Sequence, residues 1–289
     1  MICGAIGLEQ KYRFGDVNIL IRTDFDYEDD ELCVRFRCNF ETPDFIYDFI
    51  TVDELPKLPE TPIFSDFRVV VYKKDGVIYR VFPHQDDASR AVISDEHIAV
   101  GRITVYVKRM IPQHIKSELR LFNYLAIEHV MMLSKGAMFH SSFISCGGQA
   151  ILFTAPSQTG KSTQAELWRK HRGARIINGD RSLIKITDGA ATAYSLPYCG
   201  SSGICENYSA PIRAIVVLRQ APYNRVSRPT SAQAFAYLLE GCSVNLWYSK
   251  DTEIVCDILA QIMQRVPVYL LECLPDSNAV ETLAGVLGC

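Results

Sequence analysis

The sequence predicts an α/β protein in which a β-rich N-terminal region precedes an α/β domain built around a phosphate-binding loop. Three observations carry that prediction. Short runs rich in Val, Ile, Phe and Tyr recur from Asp16 to Met110. After Pro112 the apolar period changes to threes and fours, the spacing of a helix face. The stretch A-P-S-Q-T-G-K-S-T, from Ala155 to Thr163, then lies between an apolar run and a run of helix formers. The expected organisation is a β-rich region over 1–112, a bridging helix over 113–136, and an α/β domain over 137–289.

The N-terminal strands are expected at V-N-I-L-I-R from Val17, C-V-R-F-R-C from Cys33, F-R-V-V-V-Y-K-K-D-G-V-I-Y-R-V-F from Phe67, and I-T-V-Y-V-K-R-M from Ile103. The third folds back at Lys74-Asp75-Gly76, the composition of a tight hairpin turn. The proline-rich piece from Leu55 to Pro62 reads as an extended loop inside this region, because strand-like sequence resumes at once. From Ser117 the residues Leu119, Phe122, Ala126, His129, Val130 and Leu133 share one helical face, and Gly136 stands where a helix stops. His129, among apolar positions, is read as a packed helix histidine.

The whole chain limits the function classes. At 289 residues and 48% hydrophobic residues it has the length and composition of a globular α/β protein. Thirty basic against thirty-three acidic residues, with no block of like charge, give no footprint for duplex nucleic acid and no polybasic membrane patch. The ten cysteines form no C-x-x-C pair and are expected to be reduced thiols rather than a disulfide framework or a zinc site. The N-terminus has no basic n-region and no stretch reaches transmembrane length, so a cytoplasmic location is expected.

A-I-L-F-T from Ala150 suits a buried strand, and K-S-T-Q-A-E-L-W-R-K-H from Lys161, ended by Gly173, suits a helix. Strand, loop and helix are the setting that G-x-x-x-x-G-K-[ST] requires. Backbone N–H groups and the positive helix end surround phosphate there, Lys161 adds a charge, and the Ser162 hydroxyl suits Mg²⁺. The candidate nucleotide contacts are Ser157, Gln158, Thr159, Gly160, Lys161, Ser162 and Thr163. Two departures stand out: Ala155 holds the place of the first glycine, and Gln158 with Thr159 fill loop positions where glycine is common. Pro156 has no N–H to offer, so the donors are expected mostly from Gln158 onward.

R-I-I-N-G-D-R from Arg175 is a second apolar strand, and it delivers Asp180 nineteen residues after Lys161. That places a carboxylate where it can face Mg²⁺ and the terminal phosphate. Gly200, Ser201, Ser202 and Gly203, followed by Glu206, form a small-residue loop. It is either a second wall of the site or a plain connection. Beyond it, strands are expected at Ala214 and Val266 and helices at Ser231, Thr252 and Asp276. Trp168 and Trp247 are isolated aromatics assigned to packing.

The run M-F-H-S-S-F-I-S-C-G-G-Q-A-I-L-F-T-A-P-S-Q-T-G-K-S-T-Q-A-E-L-W, with I-I-N-G-D-R after it, resembles the catalytic domain of bacterial HPr serine kinase/phosphorylase. That domain is a distant relative of the phosphoenolpyruvate carboxykinases. The resemblance is closest from Phe139 to Ile186. It is nearer still to HPr-kinase-like proteins without an assigned substrate, some associated with peptide-modifying gene cassettes. It implies that His140 lies near the phosphates, that Lys161 and Ser162 hold phosphate and Mg²⁺, and that Asp180 with Arg181 belongs to an acidic motif. In the family that motif has two consecutive aspartates, and Gly179 replaces the first.

The function expected from these residues and this resemblance is an ATP- and Mg²⁺-dependent kinase acting on a hydroxyl of a peptide, protein or small molecule. Asp180 would be metal ligand, base or both, aided by His140 or Glu206. The family's phosphorylase signature is not recognisable, so phosphorolysis is not expected; the residues leave the oligomeric state open, and a homo-oligomer is compatible with the resemblance. The alternatives are a nucleotide-binding regulator without transfer chemistry, or a simple ATPase.

Overall fold

The protein is described by a computed structural model covering residues 7–66, 69–84, 87–97, 100–109, 115, 117–245 and 248–289. The chain is mixed α/β and divides into two compact units, Met1–Ile127 and Glu128–Cys289. Phe67, Met110, Pro112 and Trp247, which the sequence expectations touch, lie outside the described residues.

In the first unit the described strands form one mixed eight-stranded sheet. They are β1 (Leu8–Phe14), β2 (Val17–Thr23), β3 (Phe45–Val52), β4 (Phe64–Ser65), β5 (Val70–Lys74), β6 (Val77–His84), β7 (Asp87–His97) and β8 (Arg102–Lys108), in spatial order β1-β2-β3-β8-β7-β6-β5-β4. The β5–β6 hairpin turns at Asp75 and Gly76, both at positive φ (51° and 84°), the geometry that suits the twist of paired strands. C-V-R-F-R-C is not a strand: α1 (Glu31–Val34), capped by the Asp30 carboxylate accepting the Leu32 N–H at 3.0 Å, begins before the run and ends at its second residue. The buried residues are Cys33 and Phe36, a helical spacing of three rather than the strand spacing of two.

The single helix expected over 113–136 is replaced, among its described residues, by α2 (Glu118–Phe122) and α3 (Ile127–Leu133). Between them Ala126 takes a left-handed backbone (φ 44°), which a right-handed helix cannot pass, and the Tyr47 hydroxyl donates to the Leu125 carbonyl at 2.7 Å. Buried Glu118 anchors α2. It accepts from Tyr12, from Arg37 Nε at 2.8 Å and from the Asp30 N–H at 3.0 Å. Gly136 is no helix stop but opens a strand. A Cβ there would lie 2.7 Å from Leu183 Cδ1 and 3.2 Å from the Met131 carbonyl oxygen, so a larger residue would require the Leu183 side chain to move.

The second unit is organised by two long strands that each belong to two sheets. β9 (Gly136–Cys146) pairs through His140 with β12 (Arg181–Thr187), and from Ser141 onward with β10 (Gln149–Thr154) and β11 (Arg175–Asn178). β14 (Ser209–Gln220) pairs first with β13 (Ala190–Ser195), then in parallel with β10 and β16 (Val268–Cys273); β15 (Arg225–Ser227) adds to β16. The helices are α4 (Lys161–Arg172), α5 (Ser231–Gly241), α6 (Ser249–Arg265) and α7 (Ser277–Leu287).

Alternation along the strands splits the core in two. Ile151, Phe153, Ala214, Val216 and Leu218 pack with Trp168 of α4 and Val280 and Leu283 of α7, whereas Leu152, Ile215 and Val217 pack with Leu238 of α5 and Ile258 and Ile262 of α6. His129 is buried, with Nδ1 2.8 Å from Asp251 Oδ2. Among the described residues no helix is long and apolar enough to cross a membrane.

Trp168 is fully buried, its ring centroid 6.3 Å from that of Phe153. Replacing it with alanine is expected to lower stability by about 3–5 kcal/mol, read as a shift in the urea unfolding midpoint. A loss below about 1 kcal/mol would show that α4 is not held through this ring.

Candidate functional site

β10 ends at Thr154, the loop crosses from Ala155 to Gly160, and α4 begins at Lys161. The loop reverses through two positive-φ residues, Gln158 (63°) and Gly160 (113°). A Cβ on Gly160 would meet nothing within 4 Å. The space over the helix N-terminus is therefore open, and glycine serves there by its backbone conformation and by leaving that space free. Ser157 and Gln158 are exposed, Thr159 and Gly160 are half-buried, and Ser162 and Thr163 are exposed on the first helical turn.

Lys161 is buried and its ammonium donates to the carbonyls of Ala155 at 2.9 Å and Pro156 at 3.1 Å. Burial pushes its pKa below the ordinary lysine value, and the charge of Asp180 pulls it the other way. The Gln220 side chain, at the end of β14, stands 3.5 Å from the carbonyls of both Gln158 and Thr159.

Asp180 arrives from the opposite side. β11 ends at Asn178, and the chain bends through Gly179 and Asp180 into β12. The Asn178 Oδ1 accepts the N–H of Asp180 and of Arg181, each at 2.9 Å, an Asx turn. Register pairs Arg181 with His140, and the Ser141 N–H donates to the Asp180 carbonyl at 2.8 Å. His140 Nδ1 thus lies 3.2 Å from Asp180 Oδ1, and Arg181 Nε lies 3.6 Å from Oδ2. The Thr154 hydroxyl donates to the His140 carbonyl at 3.2 Å. That bond links the strand before the loop to the strand that carries the histidine.

Burial pushes the Asp180 carboxyl up, but the His140 hydrogen bond and charge, with Arg181 and Lys161, outweigh it and hold the group below the ordinary aspartate value. Such a carboxylate is a willing ligand for a hard cation and a weak proton acceptor. Its donor set is all oxygen when joined with the Ser162 hydroxyl, which suits Mg²⁺. Among the described residues no group of three or more His, Cys, Asp or Glu is placed to hold a metal ion, so a divalent cation here would take its remaining ligands from phosphate and water.

The small-residue loop closes on this bend. Cys199 leads into a 3-10 turn, Gly200–Ser202, and a Cβ on Gly200 would lie 2.9 Å from the Asp180 carboxyl carbon. A Cβ on Gly179 would lie 2.1 Å from Ser202 Oγ and 2.5 Å from Ser202 Cβ. The place that a first aspartate would need is therefore filled by Ser202, whose hydroxyl donates to the Cys199 carbonyl at 2.6 Å.

The structure thus joins Asp180 to His140 directly and leaves Lys161 within range of the Asp180 charge. It does not bring Glu206 to them. The Glu206 carboxylate pairs with Arg175 at the start of β11, whose guanidinium lies 5.0 Å over the Tyr208 ring. The sequence reading missed Asn178 and Gln220. Asn-Gly at a strand end is the signal for the first; Gln220 leaves no local signal, because only the parallel β10–β14 pairing brings it to the loop.

No family model matches the chain, and no curated protein matches it. Among solved structures, the chain has a neighbour in the structure of the Hpr(Ser) kinase/phosphatase from Coxiella burnetii: TM-score 0.31 and 13% identity over 52% of this chain and 94% of that one. A score of that size does not by itself establish a shared fold.

Two outcomes are expected. Gly179→Ala should destabilise the chain by about 1–3 kcal/mol through overpacking, and adding Ser202→Gly should restore most of the loss; equal stability of both single variants and the double would show that the turn yields freely. Because the folded carboxyl of Asp180 titrates below its unfolded value, its contribution to stability is present above the ordinary aspartate pKa of about 3.9 and is lost as pH falls through the lower folded value. The stability gap between wild type and Asp180→Asn should narrow on going from about pH 6 to about pH 3. A gap that stays constant would contradict the pairing with His140.

Proposed function

We propose that the chain is an ATP- and Mg²⁺-dependent phosphotransferase that moves the γ-phosphoryl group to a hydroxyl acceptor. The observation that carries the reading is the convergence of Lys161, at the N-terminus of a twelve-residue helix, with an Asp180 carboxylate held by His140. The open space over Gly160 supports it, since backbone N–H groups and the helix end favour an anion there.

In this reading Ser157 to Thr163 line the nucleotide phosphates, and the Lys161 ammonium exchanges the Ala155 and Pro156 carbonyls for phosphate oxygens. Ser162 and Asp180 hold Mg²⁺, which when bound neutralises charge on the β- and γ-phosphates. The Asp180 carboxylate, turned by His140, faces the acceptor hydroxyl and takes its proton late. A carboxylate with a lowered pKa is sufficient for that, because phosphoryl transfer runs through a loose transition state in which alignment and charge neutralisation dominate. The absence of a second carboxylate at Gly179 then lowers the rate without removing the chemistry. Glu206, spent on Arg175, has no part in this assignment.

A second reading, a nucleotide-binding regulator without transfer, is favoured by one observation: Ser202 fills the place of a side chain at 179. Calorimetric titration with a non-hydrolysable ATP analogue, with and without Mg²⁺, tests the shared part. Binding is expected to require Mg²⁺ and to weaken about ten-fold or more in Lys161→Ala, the worth of a charge-assisted hydrogen bond. Absence of binding in every condition would end both readings. ADP release that depends on an added hydroxyl compound supports the transferase, whereas tight binding with no ADP release under any acceptor supports the regulator.

A further inference from the structure

Asn178 is fully buried, yet all of its carboxamide is employed. Its Oδ1 accepts the Asp180 and Arg181 N–H groups at 2.9 Å, and its Nδ2 donates to the Leu196 carbonyl at 2.8 Å and to Ser195 Oγ at 3.1 Å. One end therefore shapes the bend that carries Asp180. The other end grips the start of the loop whose Gly200 and Ser202 press on Asp180 and Gly179. The backbone around it closes the same circuit: Gly179 N–H donates to the Ile204 carbonyl at 3.2 Å, and the Glu206 N–H to Ile177 at 2.9 Å. No carboxylate, hydroxyl or apolar side chain of this size offers an acceptor for two N–H groups and donors for the opposite side at once.

We propose that Asn178 is a positioning residue: its carboxamide keeps Asp180 turned toward His140 and couples that carboxylate to the 196–205 loop. The inference rests on reading Asp180 as the working carboxylate of the proposed function. It makes the loop a partner of the site, since a displacement of Leu196 reaches the Asp180 bend through the Asn178 carboxamide, alongside the backbone bonds at Gly179 and Glu206. Asn178 itself touches neither nucleotide nor acceptor.

The test uses the full chain with Asn178→Ala and Asn178→Ser. A serine hydroxyl can remake the local turn bond to the Asp180 N–H but cannot span to Leu196. For Asn178→Ala, hydrogen exchange at the Asp180 and Arg181 amides is expected to quicken about ten-fold or more while the rest of β11 and β12 stays protected. With ATP and a competent acceptor, kcat should fall about 10- to 100-fold with KM for ATP within about two-fold of wild type, the pattern of a misplaced group rather than a lost binding contact. Asn178→Ser should recover part of both effects, and it carries the same measurements if the alanine variant does not fold.

Unchanged amide exchange, or faster exchange with kcat intact, would overturn the proposal and leave Asn178 a structural strut. If the wild-type chain transfers no phosphate, the proposed function fails on its own. The positioning role is then decided by a crystal structure of the variant, where a His140–Asp180 separation still at 3.2 Å refutes it and a separation beyond hydrogen-bond reach supports it.

Discussion

Main-chain hydrogen bonding along β9 is the constraint on which the second unit depends. The strand changes partners between His140 and Ser141: behind that point it is zipped to β12, and beyond it to β10 on one side and β11 on the other. A strand has two edges, and each unpaired buried N–H or carbonyl costs free energy, so the register along β9 is fixed wherever it is flanked. That register sets Arg181 opposite His140 and Thr154 opposite Ser141. The end of the loop strand and the bend of the acidic strand therefore meet at one residue pair, whatever the helices do.

The helices complete the core rather than define the site. α4 and α7 cover one face of the sheet formed by β10, β14 and β16, and α5 and α6 cover the other, with the strands alternating their side chains between the two clusters. Burial on both faces makes the central strands continuous apolar runs, as expected of parallel pairings. What lies at the strand ends is free of that demand. Loop, bend and 3-10 turn gather there with small and polar residues, where Gly160, Gly179 and Gly200 admit close approach or a backbone that side chains resist.

The electrostatics of this corner follow from its packing. Asp180 is only partly exposed, which alone would favour its neutral form, yet three cationic or protonatable groups from different elements face it: His140 from β9, Arg181 from β12 and Lys161 from α4. The balance leaves a carboxylate that prefers charge, suited to a hard cation more than to proton abstraction. The proposed chemistry agrees with that balance, since phosphoryl transfer asks more of charge placement than of a strong base.

Much of this was legible in the order of residues alone. The strand at Ala150, the helix from Lys161 to its glycine stop, the strand delivering Asp180, and the closing helices from Ser231, Thr252 and Asp276 all follow from local period and capping chemistry. Local rules misread three places. C-V-R-F-R-C alternates like a strand but buries every third residue. Ser117 to Gly136 keeps a helical period, yet Ala126 breaks it in a left-handed backbone. Gly136 stands where a helix would stop but begins a strand, because its backbone pairs with Lys185 of β12.

The sequence by itself singled out Lys161, Ser162 and Asp180 as candidates, because a glycine before a lysine and a strand before an aspartate are local patterns, and the family resemblance added His140. Tertiary structure decided which of them meet. Glu206, close in sequence to the small-residue loop, is drawn to Arg175, whereas Gln220, which has no local signal, is carried to the 155–160 loop by the β10–β14 pairing, and Asn178, local to the bend, is joined to Leu196 across the fold. Pairing partners distant in the chain are set by the register of whole strands, and that information is spread over every residue of β9, β12 and β14 rather than held in any motif.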